Sequence, residues 1–330
     1  MIRGGAGASA RTALSEVSVS LPPPLPQRPA EAPFLGVGVG LRPRYTPEIL
    51  ERAADPALGI DFVEAISENF MVPGGRPRRV LAEVRRALPV LLHGVSLNVG
   101  SADPLDAGHL DALDELARRV EPAWISDHLC WTGTGGHSLH DLLPLPCTEE
   151  ALRHVAGRVA RVQERLGRRI ALENVSTYAA FAHDTLAEWE FLVGVAEAAD
   201  CGILLDVNNV FVSAHNHGFD PLRYLAAIPP ERVFQIHLAG HSVEGELLID
   251  THDHPVRPEV WALYEAALRR IGPVSTLIEW DDRFPPLATL VAEAARARAI
   301  LARVTRERND RAGAAARGAA AASLAAHHLA

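Results

Sequence analysis

Between about residues 34 and 304, eight short apolar, β-branched runs alternate with eight longer segments of helical periodicity. That alternation restricts the chain to folds built from βα units around a parallel sheet. Strands are predicted over 36–41, 60–66, 90–98, 124–131, 170–175, 203–210, 233–239 and 275–280. Helices are predicted over 47–54, 76–87, 106–120, 149–166, 186–199, 221–227, 258–271 and 285–302, several with proline in the first turn. Eight strands, each followed by a helix, specify an α/β fold of the closed (β/α)₈ TIM-barrel type. A doubly wound open sheet is disfavoured, because the glycines of Gly36-Val37-Gly38-Val39-Gly40 run on into Leu41-Arg42-Pro43 and not into a helix that could seat a phosphate.

The barrel is expected to occupy 34–305 as a single catalytic domain, for which 330 residues at 48% hydrophobic content suffice. Residues 1–33, with Gly4, Gly5 and Gly7 followed by Pro22, Pro23, Pro24 and Pro26, read as a disordered Pro-rich leader. Residues 306–330 read as an Ala-rich tail, disordered or a frayed helix, with an inert His327-His328 pair. A net charge of −9 disfavours a protein built to wrap nucleic acid, which is not an expected partner. No run approaches the roughly 20 apolar residues of a membrane span, so a membrane is not an expected partner. Cys130, Cys147 and Cys201 form neither a disulfide framework nor a CxxC pair, which suits a reducing cytoplasm.

In such barrels the active site lies at the C-terminal ends of the strands, and here those ends are polar almost throughout. The second strand carries Glu64, with Glu68 and Asn69 beyond; the third carries His93, the fourth Asp127 and His128, and the fifth Glu173 and Asn174. The sixth ends Asp206-Val207-Asn208-Asn209 and leads to His215 and His217. The seventh holds His237 and then His241, the next loop supplies Asp250-Thr251-His252, and the eighth ends Glu279-Trp280-Asp281. A single histidine on a strand is more often a hydrogen-bonded core residue than a ligand. So many buried ionisable groups would each need a private partner, however, whereas shared metal ions neutralise them together. Imidazole with carboxylate suits zinc, iron or manganese, and a single ion needs only three or four ligands, so more than one ion is expected, with Glu173 the natural bridge. Cys130 follows His128 by two residues and reads more simply as core filling than as a ligand.

Leu92-His93-Gly94-Val95-Ser96-Leu97-Asn98, Ser126-Asp127-His128-Leu129, Leu172-Glu173-Asn174, Leu205-Asp206-Val207-Asn208-Asn209, Asn216-His217-Gly218, Ile236-His237-Leu238-Ala239-Gly240-His241 and Asp250-Thr251-His252 together resemble the DUF692, or UPF0276, family. That family is also described as multinuclear non-haem iron-dependent oxidative enzymes, methanobactin biosynthesis protein B-like. The resemblance covers about Phe34 to Val304. It implies a xylose-isomerase-like TIM barrel holding two or three iron ions in mixed Fe(II)/Fe(III) states, with dioxygen as co-substrate. The implied activity is oxidative modification of cysteine residues in a ribosomally made precursor peptide, helped by a small partner protein. The metal ligands it implies are His93, His128, Glu173, Asp206, Asn209, His217, His237, Asp250, His252 and Glu279, with His215 the alternative to His217. Asp127, His241 and Asp281 are expected to act beside the metals, orienting ligands or moving protons.

Two other functions fit parts of the pattern. The order His, His, Glu, Asp, His, Asp-x-His, Glu also resembles the trinuclear zinc apurinic endonucleases, so a metal-dependent hydrolase or isomerase is one; the acidic charge, and Asn209 where those enzymes present His, weigh against it. The other is a non-catalytic metal- or peptide-binding barrel.

Overall fold

The computed structural model describes residues 32–327. In chain order the strands are β1 (Val37–Gly40), β2 (Val63–Ile66), β3 (Val90–His93), β4 (Ile125–His128), β5 (Trp131–Thr134), β6 (His137–Leu143), β7 (Ala171–Glu173), β8 (Gly202–Asp206), β9 (Val233–Leu238), β10 (Ser242–Glu244), β11 (Leu247–Ile249) and β12 (Ser275–Ile278). The helices are α1 (Thr46–Arg52), α2 (Arg76–Ala87), α3 (Ala107–Val120), α4 (Glu149–Leu166), α5 (Glu188–Ala198), α6 (Val207–His217), α7 (Pro221–Ala227), α8 (Pro258–Ile271) and α9 (Leu287–His327). Eight strands close into one parallel barrel in the order β1-β12-β9-β8-β7-β4-β3-β2, the (β/α)₈ architecture expected from the alternation. The proposed leader lies almost wholly outside the described residues, and α9 runs on past the expected 302 as one continuous helix.

Side chains of a barrel strand alternate inward and outward, so residues two apart share the interior. Phe62, Leu91, Trp124, Ala171, Leu204 and Leu277 form an apolar inner layer with Phe234. Two residues further along six of those strands stand Glu64, His93, Ser126, Glu173, Asp206 and Glu279, all buried. The apolar layer is therefore the floor on which a polar layer rests. Each large side chain fully buried there contributes about 2 kcal/mol. Gly38 makes room for it, since a Cβ at that position would lie 2.5 Å from the Phe62 carbonyl oxygen and 2.6 Å from its ring.

Three predicted strands overrun their C-terminal ends by three residues or more. Strand six was expected to reach residue 210, but the ladder stops at Asp206 and α6 begins at once. The cause is local: the Asp206 carboxylate caps the helix by accepting from the Asn209 amide at 2.6 Å, while its own N–H and C=O are taken by the Asn174 side chain at 2.9 and 3.0 Å. Strand four ends at His128, and the chain turns into the β5–β6 hairpin, which was not anticipated; it is closed at its base by Trp131 Nε1 donating to the Pro144 carbonyl at 3.0 Å. Strand three ends at His93 for a similar reason, because the backbone of the following turn is taken up by two carboxylates described below. A second unanticipated hairpin, β10–β11, follows β9 and packs on α6 through Asn216, whose amide bonds both the N–H and the C=O of Leu248.

Candidate metal centre

Parallel register places the site residues side by side. His128 is opposite Glu173 and Asp206 is opposite His237, and since Glu173 is opposite Leu204 the second pair stands two residues further along than the first. Nε2 of His93 is 3.1 Å and Nε2 of His128 is 3.4 Å from Glu173 Oε2. On the other side of Glu173, its Oε1 is 3.5 Å from Nδ1 of His237, and the same nitrogen is 3.0 Å from Glu279 Oε2. That Glu279 oxygen is also 3.4 Å from Nδ1 of His252, which lies 3.2 Å from Asp281 Oδ2. Three groups have metal-ligating geometry: His93, His128 and Glu173; Glu173, Asp206, His237 and Glu279; and His252, Glu279 and Asp281. Glu173 is common to the first two and Glu279 to the last two, so the three form one connected row.

The back of each imidazole is held so that one nitrogen faces the row. Nδ1 of His93 bonds Ser126 Oγ at 2.8 Å, and Nδ1–H of His128 donates to the Gly94 carbonyl at 3.0 Å. Nε2–H of His237 faces Glu64 Oε1 at 3.1 Å; Glu64 is fixed by the Gln235 amide at 2.7 Å, and Gln235 accepts from Trp124 Nε1 at 2.7 Å. That chain of bonds ties the floor to the site. His252 adopts the left-handed backbone conformation, φ 47°, which a non-glycine residue holds only under constraint; the Asp281 N–H donates to its carbonyl at 2.8 Å. Arg42 pairs with Asp281 and lies 3.7 Å from Glu279 Oε1.

The residues fit a metal cluster on a direct observation. Glu173 Oε2, Asp206 Oδ2, Asn209 Oδ1, His237 Nδ1 and His252 Nε2 are all buried with no partner in hydrogen-bond geometry, although Glu173 Oε2, His237 Nδ1 and His252 Nε2 have ionisable neighbours at 3.1, 3.0 and 2.7 Å. An orphaned buried polar atom costs about 1–3 kcal/mol, more if charged. Five of them, all of ligand type, converge on this row, and a cavity of about 140 Å³ lined by His93, His128, Glu173, Asn209, Asp250 and His252 opens onto it. Without cations the charges compensate one another. Burial opposes the imidazolium of His93, yet Glu173 beside it raises the ring to about 9. His237 and His252 are raised against the same penalty by their carboxylates. Burial pushes Asp206 up, whereas Glu173, against its own burial, is held below the usual carboxylate range by His128 and His237. Metal ions supply that positive charge in place of protons, with the imidazoles neutral and the carboxylates ionised as ligands.

Not every anticipated residue reaches the row. Asp250 lines the cavity, 2.7 Å from His252 Nε2 and held by Asn208 Nδ2 at 2.6 Å. His241 stands behind it, Nδ1 on Asn208 Oδ1 at 2.8 Å, and burial with Arg257 nearby lowers its ring to about 4. Asp127 lies behind the turn after β3: Oδ2 accepts from the Leu97 amide at 3.2 Å and Glu68 Oε1 from the Val95 amide at 2.9 Å. Burial and Glu68 push the Asp127 carboxyl up to about 8. Gly94 makes room in that turn, because a Cβ there would sit 2.2 Å from Asp127 Oδ2 and push that carboxylate away. His217 is outside the three groups; it is exposed at the end of α6 with Nε2 on Thr177 Oγ1 at 2.8 Å, and His215 faces the Glu246 carbonyl at 3.0 Å. Asp281, expected only beside the metals, is a member of the third group. Sequence alone assigns no role to Ser126, Gln235, Arg42 or Asn208, although Ser126 and Asn208 lie within the quoted motifs.

Residues 36–302 match the family described as RiPP precursor modification enzyme MbnB/TglH/ChrH. A UPF0276 protein of Anaeromyxobacter sp. strain Fw109-5 is 61% identical over 264 residues, covering 80% of this chain and 92% of that one. A UPF0276 protein of Caulobacter vibrioides is 56% identical over 267 residues, 81% of this chain and 94% of that one. Among solved structures, an L-ribulose 3-epimerase superposes with TM-score 0.55 at 17% identity, covering 83% of this chain and 96% of its own. Endonuclease IV from Thermus thermophilus superposes with TM-score 0.53 at 18% identity, covering 82% and 99%. At such identities the likeness is one of fold, the xylose-isomerase-like TIM barrel.

Proposed function

The chain belongs to the RiPP precursor modification enzyme family MbnB/TglH/ChrH, and on that premise we propose that it oxidatively modifies cysteine residues of a ribosomally made precursor peptide, using two or three iron ions and dioxygen. The observation that carries the metal part is the row of three ligand groups joined through Glu173 and Glu279. In this reading His93, His128 and Glu173 hold one ion, Glu173, Asp206, His237 and Glu279 a second, and His252, Glu279 and Asp281 a third, with Asn209 and Asp250 completing the shells from the cavity wall. His217 is left out of the ligand set. The iron ions, in mixed Fe(II)/Fe(III) states, supply Lewis acidity toward a thiol and electrons toward dioxygen.

The protein's own contribution is positional. The Gly94 carbonyl and Glu64 fix the tautomers of His128 and His237, and Ser126 holds the ring of His93, so each turns its other nitrogen to the row. The cavity admits a side chain of cysteine size, and Val95, Ile66 and Leu142 give it an apolar rim that limits water. Asn208 donates to Asp250 and accepts from His241, which fixes the Asp250 carboxylate at the cavity wall. A small partner protein that presents the peptide, and a cytoplasmic setting suited to the three free cysteines, belong to the same proposal.

The test is metal content and visible absorption of protein purified anaerobically from iron-supplemented cells, beside His93→Ala and Glu173→Ala. About two or three irons with a ferric band, diminished in both variants, followed by an oxygen-dependent mass change in a cysteine peptide, supports the proposal. Stoichiometric zinc, no colour and no mass change overturns it in favour of hydrolysis.

A further inference from the structure

A second cavity, of about 340 Å³, opens on the same end of the barrel between the loop after β6, the loop after β7 and the end of α6. Its walls are largely apolar and aromatic: Leu145, Phe181, Trp189 and Phe219, with Glu188 and His217. Trp189 and Phe219 are fixed edge to face at 5.3 Å, and both pack on buried Tyr224, at 5.8 and 6.3 Å. Asp184 holds the two loops together, one carboxylate oxygen on the Cys147 amide at 2.7 Å and the other on the Phe181 amide at 2.9 Å. The crevice is thus built before any ligand arrives.

Among its polar lining residues, Thr177, Asp184, Glu188 and His217, Glu188 carries the buried carboxyl. The carboxylate meets one neutral donor, Tyr224 Oη at 3.1 Å, and no cation pairs with it among the described residues. Burial pushes the Glu188 carboxyl up to about 7, even with the Tyr224 hydrogen bond favouring the ionised form. A carboxylate at the bottom of an aromatic-walled cavity is the chemistry that recognises an alkyl ammonium or guanidinium, through the charge and the ring faces together. The net charge of −9 favours a basic ligand in addition.

The crevice adjoins the metal row. Asn174, which lines the narrow inner end beside Glu188 and Tyr224, is next to Glu173 and holds the Asp206 backbone through both ends of its amide. Tyr178, between the lining residues Thr177 and Ala179, accepts from the Asp250 amide at 3.0 Å. We propose that this crevice anchors a basic side chain, lysine or arginine, of the peptide whose cysteine enters the metal cavity. The proposal rests on the substrate being a peptide, as inferred above, and it gives His217 a place: its imidazole lines the crevice, turned onto Thr177.

The test uses the full-length, as-isolated protein labelled with fluorotryptophan and followed by fluorine NMR, with the Trp189 resonance identified from Trp189→Phe. The probe is Nα-acetyl-lysine N-methylamide, set against its norleucine analogue. Saturable movement of the Trp189 resonance by the lysine probe, about ten-fold weaker with norleucine, and a similar loss for the lysine probe alone in Glu188→Gln, is the expected result. Equal binding of the two probes, movement confined to other tryptophans, or undiminished lysine binding in Glu188→Gln overturns the proposal. Should Glu188→Gln fail to fold, seen as collapse of the other tryptophan resonances, the comparison of the two probes on the wild-type protein decides. Neither probe carries a thiol and no turnover is read, so failure of the cysteine-oxidation reading leaves this outcome unaffected.

Discussion

His93 and Glu173 face each other across 3.1 Å at the ends of two strands that are not neighbours in the barrel, and the oxygen between them is also the one that His128 approaches. Because Glu173 belongs to two ligand groups and His93 to one, their replacements should differ in stoichiometry and not merely in severity. Glu173→Ala is expected to lose about two ions per chain and His93→Ala about one, read by elemental analysis of the purified variants. Equal losses would remove the bridging role of Glu173.

Metal also stabilises the native state by mass action, since the unfolded chain lacks the assembled row. With free metal about a hundredfold above its Kd the gain is about 2.7 kcal/mol, a rise of several degrees in the melting temperature of a domain this size. Thermal melts before and after exhaustive chelation measure it. An unchanged melting temperature would mean that the orphaned atoms of Asp206, His237 and His252 are satisfied in some other way.

Asn208 touches no ligand group, yet it holds Asp250 with its amide nitrogen and His241 with its oxygen. Asn208→Ala frees Asp250 to rotate and should weaken metal binding about tenfold or more without changing the number of sites. Competition with a chromogenic chelator separates affinity from stoichiometry, and an unaltered affinity would reduce Asn208 to a packing residue.

Away from the site, Glu265 on α8 meets Arg303 on α9 through two bonds of 2.7 Å, and Arg269 at 2.7 Å, and these hold its carboxyl down to about 2. A depressed carboxylate stabilises the fold above its unfolded value, about 4.5, and loses that contribution as pH falls toward 2. The group is largely solvated, so the contribution at neutral pH is about 1 kcal/mol or less. Denaturant melts of Glu265→Gln against wild type should show that difference at pH 7 and its shrinkage on acidification. A difference that grows on acidification contradicts the pairing.

What the amino-acid sequence determined by itself is whatever repeats locally. The barrel follows from the alternation of strand and helix, and most of the metal row follows from the two-residue period of the strands, which sets His93 two beyond Leu91 and Glu173 two beyond Ala171 on the inner face. The end of β8 escaped that reading because Asp206 is both the last strand residue and a helix cap, and a β-branched run looks alike in either role. His217 and Asp281 are told apart only in three dimensions: each follows a strand in a polar motif, but α6 carries His217 out to Thr177, while Arg42, 239 residues away in sequence, holds Asp281 against the row. Likewise His237 is positioned by Glu64, and Glu64 by Gln235, 171 residues distant. Tertiary structure alone decides such pairings, because a closed barrel brings its first and last strands together and the direction of a side chain past a strand end depends on the turn that follows.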